Sequence, residues 1–140
     1  MKKILFVLVS LFCFAGPLLA THQRAGEITF KYISGLTYEI TIVTYSYELS
    51  LADRYQLDIY WGDNTKSTLL RTNGPYNDPL GYAGEVVAPL IKKNLYVGTH
   101  TFPGSATYKI TLEDPNRNYG ILNIPNSVEV PLKMVLIFIK

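Results

Sequence analysis

The chain has 140 residues, of which 48% are hydrophobic and 17% charged, enough for one domain of ordinary size. The net charge of +2 comes from Lys2 and Lys3, since the other 11 of the 13 basic residues balance the 11 acidic ones. A neutral remainder excludes a nucleic-acid binder driven by bulk charge and a polybasic membrane-surface protein. The single cysteine, Cys13, lies in the apolar run after these lysines, so residues 21–140 can form neither a disulfide nor a cysteine-ligated metal site.

Residues 1–20 have the three parts of a secretory signal peptide: two lysines, an apolar centre over residues 4–15, and the small Ala20 before the expected cut. An uncleaved membrane anchor is the alternative. The apolar stretch is short for the roughly 20 residues that a span needs, and Gly16 and Pro17 interrupt its end. We therefore expect cleavage after Ala20, export to the periplasm, the cell surface or the medium, and no membrane span in residues 21–140.

The rest of the chain is rich in β-branched and aromatic residues and shows no helical spacing of apolar residues. Strands are predicted over residues 26–33, 36–49, 55–61, 66–71, 85–88, 94–102, 106–113 and 127–140. Ser34 and Gly35 predict a hairpin turn between the first two strands, and the glycines and prolines of residues 72–84 predict a surface loop. Seven to nine short strands predict an all-β fold, an antiparallel β-sandwich, in one domain over residues 21–140. Alternation in the third strand predicts four residues facing the core: Tyr55, Leu57, Ile59 and Trp61.

Two stretches resemble the PKD-type domain, an immunoglobulin-like β-sandwich. In YQLDIYWGDN, residues 55–64, a strand runs into Trp61-Gly62-Asp63. In HTFPGSATYKITLED, residues 100–114, an aromatic residue precedes Pro-Gly and a strand with a tyrosine follows. Phe102 stands where the family usually has tyrosine, and Asn64 where it has glycine. The resemblance implies an immunoglobulin-like sandwich with Trp61 and Tyr108 in its core.

The opening THQRAGEITFKY and the later DPNRNYGILNIPNSVEVPL resemble the N-terminal region of large surface proteins of Bacteroidetes. In those proteins such segments precede extracellular arrays and a gliding-motility or type IX secretion sorting domain. The resemblance covers nearly all of residues 21–132. It implies an exported, adhesin-like protein of the cell surface.

Trp61 and Asp63 have two interpretations. They form either a platform that stacks and hydrogen-bonds a sugar, or a core tryptophan at a strand end with an aspartate that stabilises the turn. Alternation with the preceding apolar residues favours the second. His22 and His100 are the only histidines, and neither is accompanied by the ligands of a zinc site or the partners of a catalytic triad. We therefore expect no catalytic, metal-binding or cofactor-binding residue and no cofactor.

Clustered carboxylates suggest calcium as the one ion to consider, although no Asp-x-Asp-x-Asp spacing is present. A loop calcium would draw its ligands from Asp53, Asp58, Asp63, Asp78, Glu113 and Asp114. Exposed tyrosines suit protein or glycan recognition, unless they are ordinary sheet residues. The tyrosines considered for this role, several of them in or beside loops, are Tyr45, Tyr47, Tyr76, Tyr82, Tyr96 and Tyr119.

Residues 134–139 are apolar at every position, whereas a half-exposed strand alternates. One alternate set therefore faces outward, either Val135, Ile137 and Ile139 or Met134, Leu136 and Phe138. An apolar outer set predicts a docking surface for a neighbouring domain, another chain or a second copy of this one.

Taken together, these features predict an exported, non-enzymatic β-sandwich that acts as an interaction or spacer module of a cell-surface or secreted adhesin-like protein. Its expected partners are proteins or glycans at the cell surface. An accessory carbohydrate-binding domain that uses loop aromatics is the alternative, and a hydrolase is the third class. No pair of acids stands out as the two carboxylates of a glycosidase.

Overall fold

The computed structural model describes residues 23–77, 79–115 and 117–139, with all side chains except that of Ile139. The predicted signal peptide, His22 and Asp78 lie outside this part of the chain. The strands are β1 (Gln23–Ser34), β2 (Thr37–Tyr47), β3 (Gln56–Tyr60), β4 (Lys66–Leu70), β5 (Tyr76–Asn77), β6 (Gly81–Tyr82), β7 (Glu85–Ala88), β8 (Ile91–Thr101), β9 (Thr107–Asp114) and β10 (Leu132–Ile139). One 3₁₀ turn covers Ser127–Glu129. Within the described ranges there is no α-helix, and thus none that could cross a membrane.

Eight of the strands form two four-stranded antiparallel sheets. Sheet 1 has the order β1-β2-β8-β7, and sheet 2 has the order β10-β9-β3-β4. Their inner faces pack together as a sandwich, which confirms the predicted fold class. The remaining two strands, β5 and β6, form a two-residue hairpin inside the predicted surface loop.

The β1–β2 hairpin confirms the predicted turn at Ser34-Gly35. Gly35 has φ 54°, a left-handed conformation that glycine adopts without steric cost. After the turn, β2 alternates from Thr37 to Ile42, with buried Tyr38, Ile40 and Ile42 on one face, and further along the strand Val43 on the other face is buried as well. This alternation is what a strand needs when one face meets the core and the other does not.

The core joins the inner faces of both sheets through aromatic rings. Trp61 and Tyr108 are buried, as predicted. Phe102 stacks on Tyr108 with centroids 4.2 Å apart and on Phe138 at 5.6 Å. The prediction for Tyr55 is wrong: this side chain is exposed, because β3 begins only at Gln56 and the inward alternation starts with its second residue.

The C-terminal strand starts later than predicted. The 3₁₀ turn and Pro131, which has no backbone N–H to donate, occupy the first residues of the predicted range, so that β10 begins at Leu132. Met134 and Phe138 are buried, whereas Val135 and Ile137 are exposed. The outward apolar set is therefore the one that contains Val135 and Ile137.

Candidate functional site

Trp61 follows the last residue of β3 and is 1% exposed. Its ring stacks on the imidazole of His100, with centroids 4.4 Å apart and planes inclined by 5°. Its Nε1 donates a hydrogen bond to Ser67 Oγ at 2.9 Å. Because the ring is buried and its single donor is used, Trp61 is a core residue and not a sugar platform.

Asp63 stabilises the turn after Trp61. Its Oδ1 accepts hydrogen bonds from the backbone N and the hydroxyl of Thr65, and its Oδ2 lies 2.7 Å from Nε2 of His100. Burial alone would raise the pKa of the Asp63 carboxyl, but the bonds from Thr65 and His100 outweigh it and hold that pKa below its usual value. The motif of residues 55–64 and the motif of residues 100–114 thus meet in one side-chain cluster, which contains Trp61, Asp63 and His100. His100 has a structural position within it.

Gly62 makes this meeting sterically possible. It has φ 86°, and a Cβ on it would lie 2.7 Å from the backbone of Lys109 on β9. The turn after β3 therefore packs against the neighbouring strand at a distance that only glycine allows.

Asp53 is held by two cations beside β8. The guanidinium of Arg71, itself 2% exposed, donates two hydrogen bonds to this carboxylate at 2.8 and 3.0 Å, and Lys92 Nζ lies 2.7 Å away. Burial alone would raise the pKa of Asp53, but Arg71 and Lys92 outweigh it and lower that pKa. Both Arg71 and the hydroxyl of Tyr96 also donate to the carbonyl of Arg54. The cluster fixes the segment before β3 against sheet 1.

The other acids of the calcium hypothesis do not converge. Asp114 accepts a hydrogen bond from Arg54, Asp58 lies 3.9 Å from Lys66, and Glu113 lies 3.3 Å from Lys133. In the described ranges, no group of three or more His, Cys, Asp or Glu residues could hold a metal ion. The loop calcium thus stays a prediction.

The six tyrosines fall into two groups. Tyr96 is fully buried and cannot contact a partner, so its prediction as a recognition residue is wrong. Tyr76 and Tyr82 are exposed and meet edge to face on the β5–β6 hairpin, with centroids 5.2 Å apart. Five of the six tyrosines are at least partly accessible: Tyr45, Tyr47, Tyr76, Tyr82 and Tyr119.

The edge strands β1 and β10 lie on the same side of the sandwich. The rings of Phe30 and Phe138 are 5.3 Å apart, and a Cβ on Gly26 would lie 2.7 Å from the sulfur of Met134. In both contacts the residue numbers differ by 108, so the numbers increase in the same direction along the two strands. β1 and β10 therefore run parallel to each other, one in each sheet. Leu136 packs against the core between these two contact points.

We call the exposed apolar residues of these two edge strands the apolar edge: Phe30 and Tyr32 on the inward row of β1, Ile33 near its end, and Val135 and Ile137 on the outer row of β10. Phe30 is 49% exposed and Tyr32 is 55% exposed, although both contact the buried ring of Tyr38. Two aromatic rings directed toward a core are thus left half uncovered. Neighbouring large apolar residues exposed in this way mark interaction surfaces in soluble proteins.

The outer face of sheet 2 carries a shallow hollow of about 620 Å³, which we call the basic hollow. It is lined by Tyr60, Gly62, Asn64, Thr65, Lys66, Lys109, Thr111 and Lys133. Tyr60 pairs in register with Lys66 on one side and with Thr111 on the other. Sequence reasoning missed this site, although its strand residues are the outward positions of the alternating pattern.

Comparison with known proteins finds no family model, no curated protein and no solved structure that matches the chain. The resemblance to PKD-type domains and to Bacteroidetes surface proteins therefore rests on the motifs alone.

Proposed function

We propose that the chain is an exported, non-enzymatic interaction or spacer module of a cell-surface or secreted adhesin-like protein. The observation that carries the proposal is the apolar edge: a sandwich with its own buried core leaves five large apolar residues exposed on its two long edge strands. The signal-peptide pattern of residues 1–20 and the resemblance to PKD-type surface proteins support the location.

The proposal is tested by following the chain in its cell. The form recovered from the periplasm, the surface or the medium should begin at Thr21, and a membrane-impermeant amine reagent should label it on intact cells if it is surface-exposed. Lys31 and Lys109 are exposed and report such labelling. Recovery of the chain only as a full-length cytosolic protein would contradict the proposal.

The basic hollow favours a second candidate function, the binding of an acidic glycan. Tyr60 is half exposed and offers a flat ring to a sugar. Lys109 supplies positive charge beside it, and Lys66 and Lys133, which are ion-paired with Asp58 and Glu113, line the same hollow. Lys109 has no ion-pair partner among the described residues. This candidate differs from the predicted one in that it uses a sheet face and not loop aromatics.

Calorimetric titration with polygalacturonate distinguishes binding at the basic hollow from binding by the loop aromatics. If the basic hollow binds, Tyr60→Ala and Lys109→Gln should each abolish the heat of binding, whereas Tyr76→Ala on the β5–β6 hairpin should leave it unchanged. Loss with Tyr76→Ala alone would assign binding to the loop aromatics. No binding by the unaltered chain would contradict this second candidate.

A further inference from the structure

The outer edge of β1 presents a row of backbone groups that no described strand pairs. β1 is the first strand of sheet 1, and only its start is covered, where Asn118 N donates to the carbonyl of Gln23 and Arg117 forms a bridge. Irregular pairing with β2 is confined to the two ends of β1, between Gln23 and Ala25 and between Tyr32 and Ser34. Residues 26–31 therefore form a regular edge, about 20 Å long, that no strand of the described residues pairs.

The side chains of this edge are self-complementary when it meets a second copy in antiparallel orientation. A two-fold axis at Thr29 places Glu27 opposite Lys31 of the second copy, and Lys31 opposite its Glu27. Both side chains are exposed, and neither has an ion pair among the described residues. Axes at Glu27 or Lys31 would place like charges directly opposite each other, which is unfavourable in a sheet.

The inward row fits the same register. Ile28 lies opposite Phe30 of the second copy, so that the half-exposed ring is covered by an aliphatic side chain. The register selected by the charges is thus also the one that covers the exposed ring of Phe30.

The second layer supports the same axis. Because β1 and β10 run parallel with an offset of 108 residues, Ile137 lies in sheet 2 below Thr29 in sheet 1. The two-fold axis that pairs β1 with its copy therefore also brings the two β10 strands side by side, with the exposed Val135 and Ile137 on their outer face. The outer row of β10 carries one described charge, Lys133, at its far end.

We propose that two copies of the chain pair antiparallel through the β1 edge, with Thr29 at the two-fold axis, Glu27 bound to Lys31 across it, and the β10 strands adjacent in the second layer. Sheet 1 then becomes one continuous eight-stranded sheet. This inference deepens the proposed function, since it names a second copy as the partner of the apolar edge. It makes no demand on where in the cell the chain is found.

Charge reversal tests both the dimer and its register. The chain recovered after export should sediment as a dimer, whereas Glu27→Lys and Lys31→Glu should each weaken dimerisation at least about tenfold, since every substitution places two like-charge pairs across the axis. The double variant Glu27→Lys/Lys31→Glu should restore the dissociation constant to within about threefold. Both substituted side chains are exposed, and circular dichroism with thermal melting checks that each of the three variants is folded.

A monomeric unaltered chain at all measurable concentrations would overturn the inference, and so would a dimer that neither single variant weakens. A dimer that the double variant fails to restore would overturn the register at Thr29. Failure here leaves the proposed function standing if the chain is exported, because export and surface labelling are measured independently of sedimentation.

Discussion

On one side of the sandwich the edge strands are β7, with four residues, and β4, with five; on the other side they are β1, with twelve, and β10, with eight. The first side is closed. β7 pairs with β8 through an irregular register. Leu69 of β4 packs against Gly98 of β8, in the space that a side chain would fill. Arg71, which follows β4, is held by its ion pair with Asp53. Short edges, bulges and charges are the devices by which sheets avoid pairing with other chains.

The second side lacks short strands in its layers and has no bulge in the middle of β1. β1 is regular over residues 26–32, and its aromatic rings are half covered. Its charges, Glu27 and Lys31, have opposite signs, and the dimer that we propose uses them as a pair across this side, which we call the open side. The predictions below separate the two sides by the effect of substitutions on folding and on association.

The largest expected effect is on the closed side. Arg71→Met should lower the free energy of unfolding by about 3 kcal/mol, because it leaves Asp53 and the carbonyl of Arg54 without the buried guanidinium. Lys66→Met is the matched control, since its ion pair is exposed and 3.9 Å long, and should change stability by less than about 0.5 kcal/mol. If urea denaturation gives the same loss of unfolding free energy for both variants, the cluster does not stabilise the closed side.

The loop over the closed side depends on a close backbone approach. A Cβ on Gly74, with φ 84°, would lie only 1.9 Å from the carbonyl oxygen of Gly84, whereas one on Gly81, with φ 81°, would meet nothing. Gly81→Ala bears only the cost of the left-handed conformation, about 1 kcal/mol, so that Gly74→Ala should cost about 2 kcal/mol more. Thermal melting of both variants measures the difference, and indistinguishable melting temperatures would contradict it.

Acid should weaken the closed side. The folded-state pKa of Asp53 lies below its ordinary value of 3.8, so the stabilisation from this carboxylate is complete above that value and is lost as the pH falls through the lower folded value. The difference in unfolding free energy between the unaltered chain and Asp53→Asn should therefore be largest near pH 6 and shrink below about pH 4. Urea denaturation across this range gives the result, and a difference independent of pH would refute the assignment.

The smallest effect on folding belongs to the open side. Val135→Thr/Ile137→Lys replaces two exposed side chains and should change the unfolding free energy of the monomer by less than about 1 kcal/mol. It should nevertheless weaken self-association, because these residues lie on the β10 strands that are side by side in the second layer. Sedimentation at several concentrations tests this, and unchanged association would exclude β10 from the interface.

The sequence was informative wherever structure is determined locally. Alternation predicted the inward residues of β3 from Leu57 onward, and Ser34-Gly35 predicted the hairpin turn. Trp61 was assigned to the core because it continues the alternation of β3. Local pattern failed at Tyr55, where the strand boundary decides exposure, and at β10, where Pro131 delays the start.

The sites could be predicted only in part, because each combines distant segments. Tyr96 sits on β8 in an alternating pattern, but its burial depends on Arg54 and Arg71 arriving from the other sheet. Similarly, the apolar run of β10 indicated an exposed face, whereas the free edge of β1 required knowledge of the strand order. The basic hollow required the same knowledge, since its lysines lie on three strands.

The central claim is that the open side pairs with a second copy at Thr29, and cysteine cross-linking measures this most directly. Residues 21–140 contain no cysteine, so an introduced one is the only thiol after removal of the signal peptide. At the axis, two copies of Thr29→Cys lie directly opposite each other, within the Cα separation of about 4.4–6.8 Å that a disulfide needs. In Glu27→Cys the two thiols are four residues apart along the strand, about 14 Å, and cannot bond. We predict that mild oxidation converts Thr29→Cys to a covalent dimer and leaves Glu27→Cys monomeric, whereas no dimer from Thr29→Cys, or equal amounts from both variants, would contradict the account.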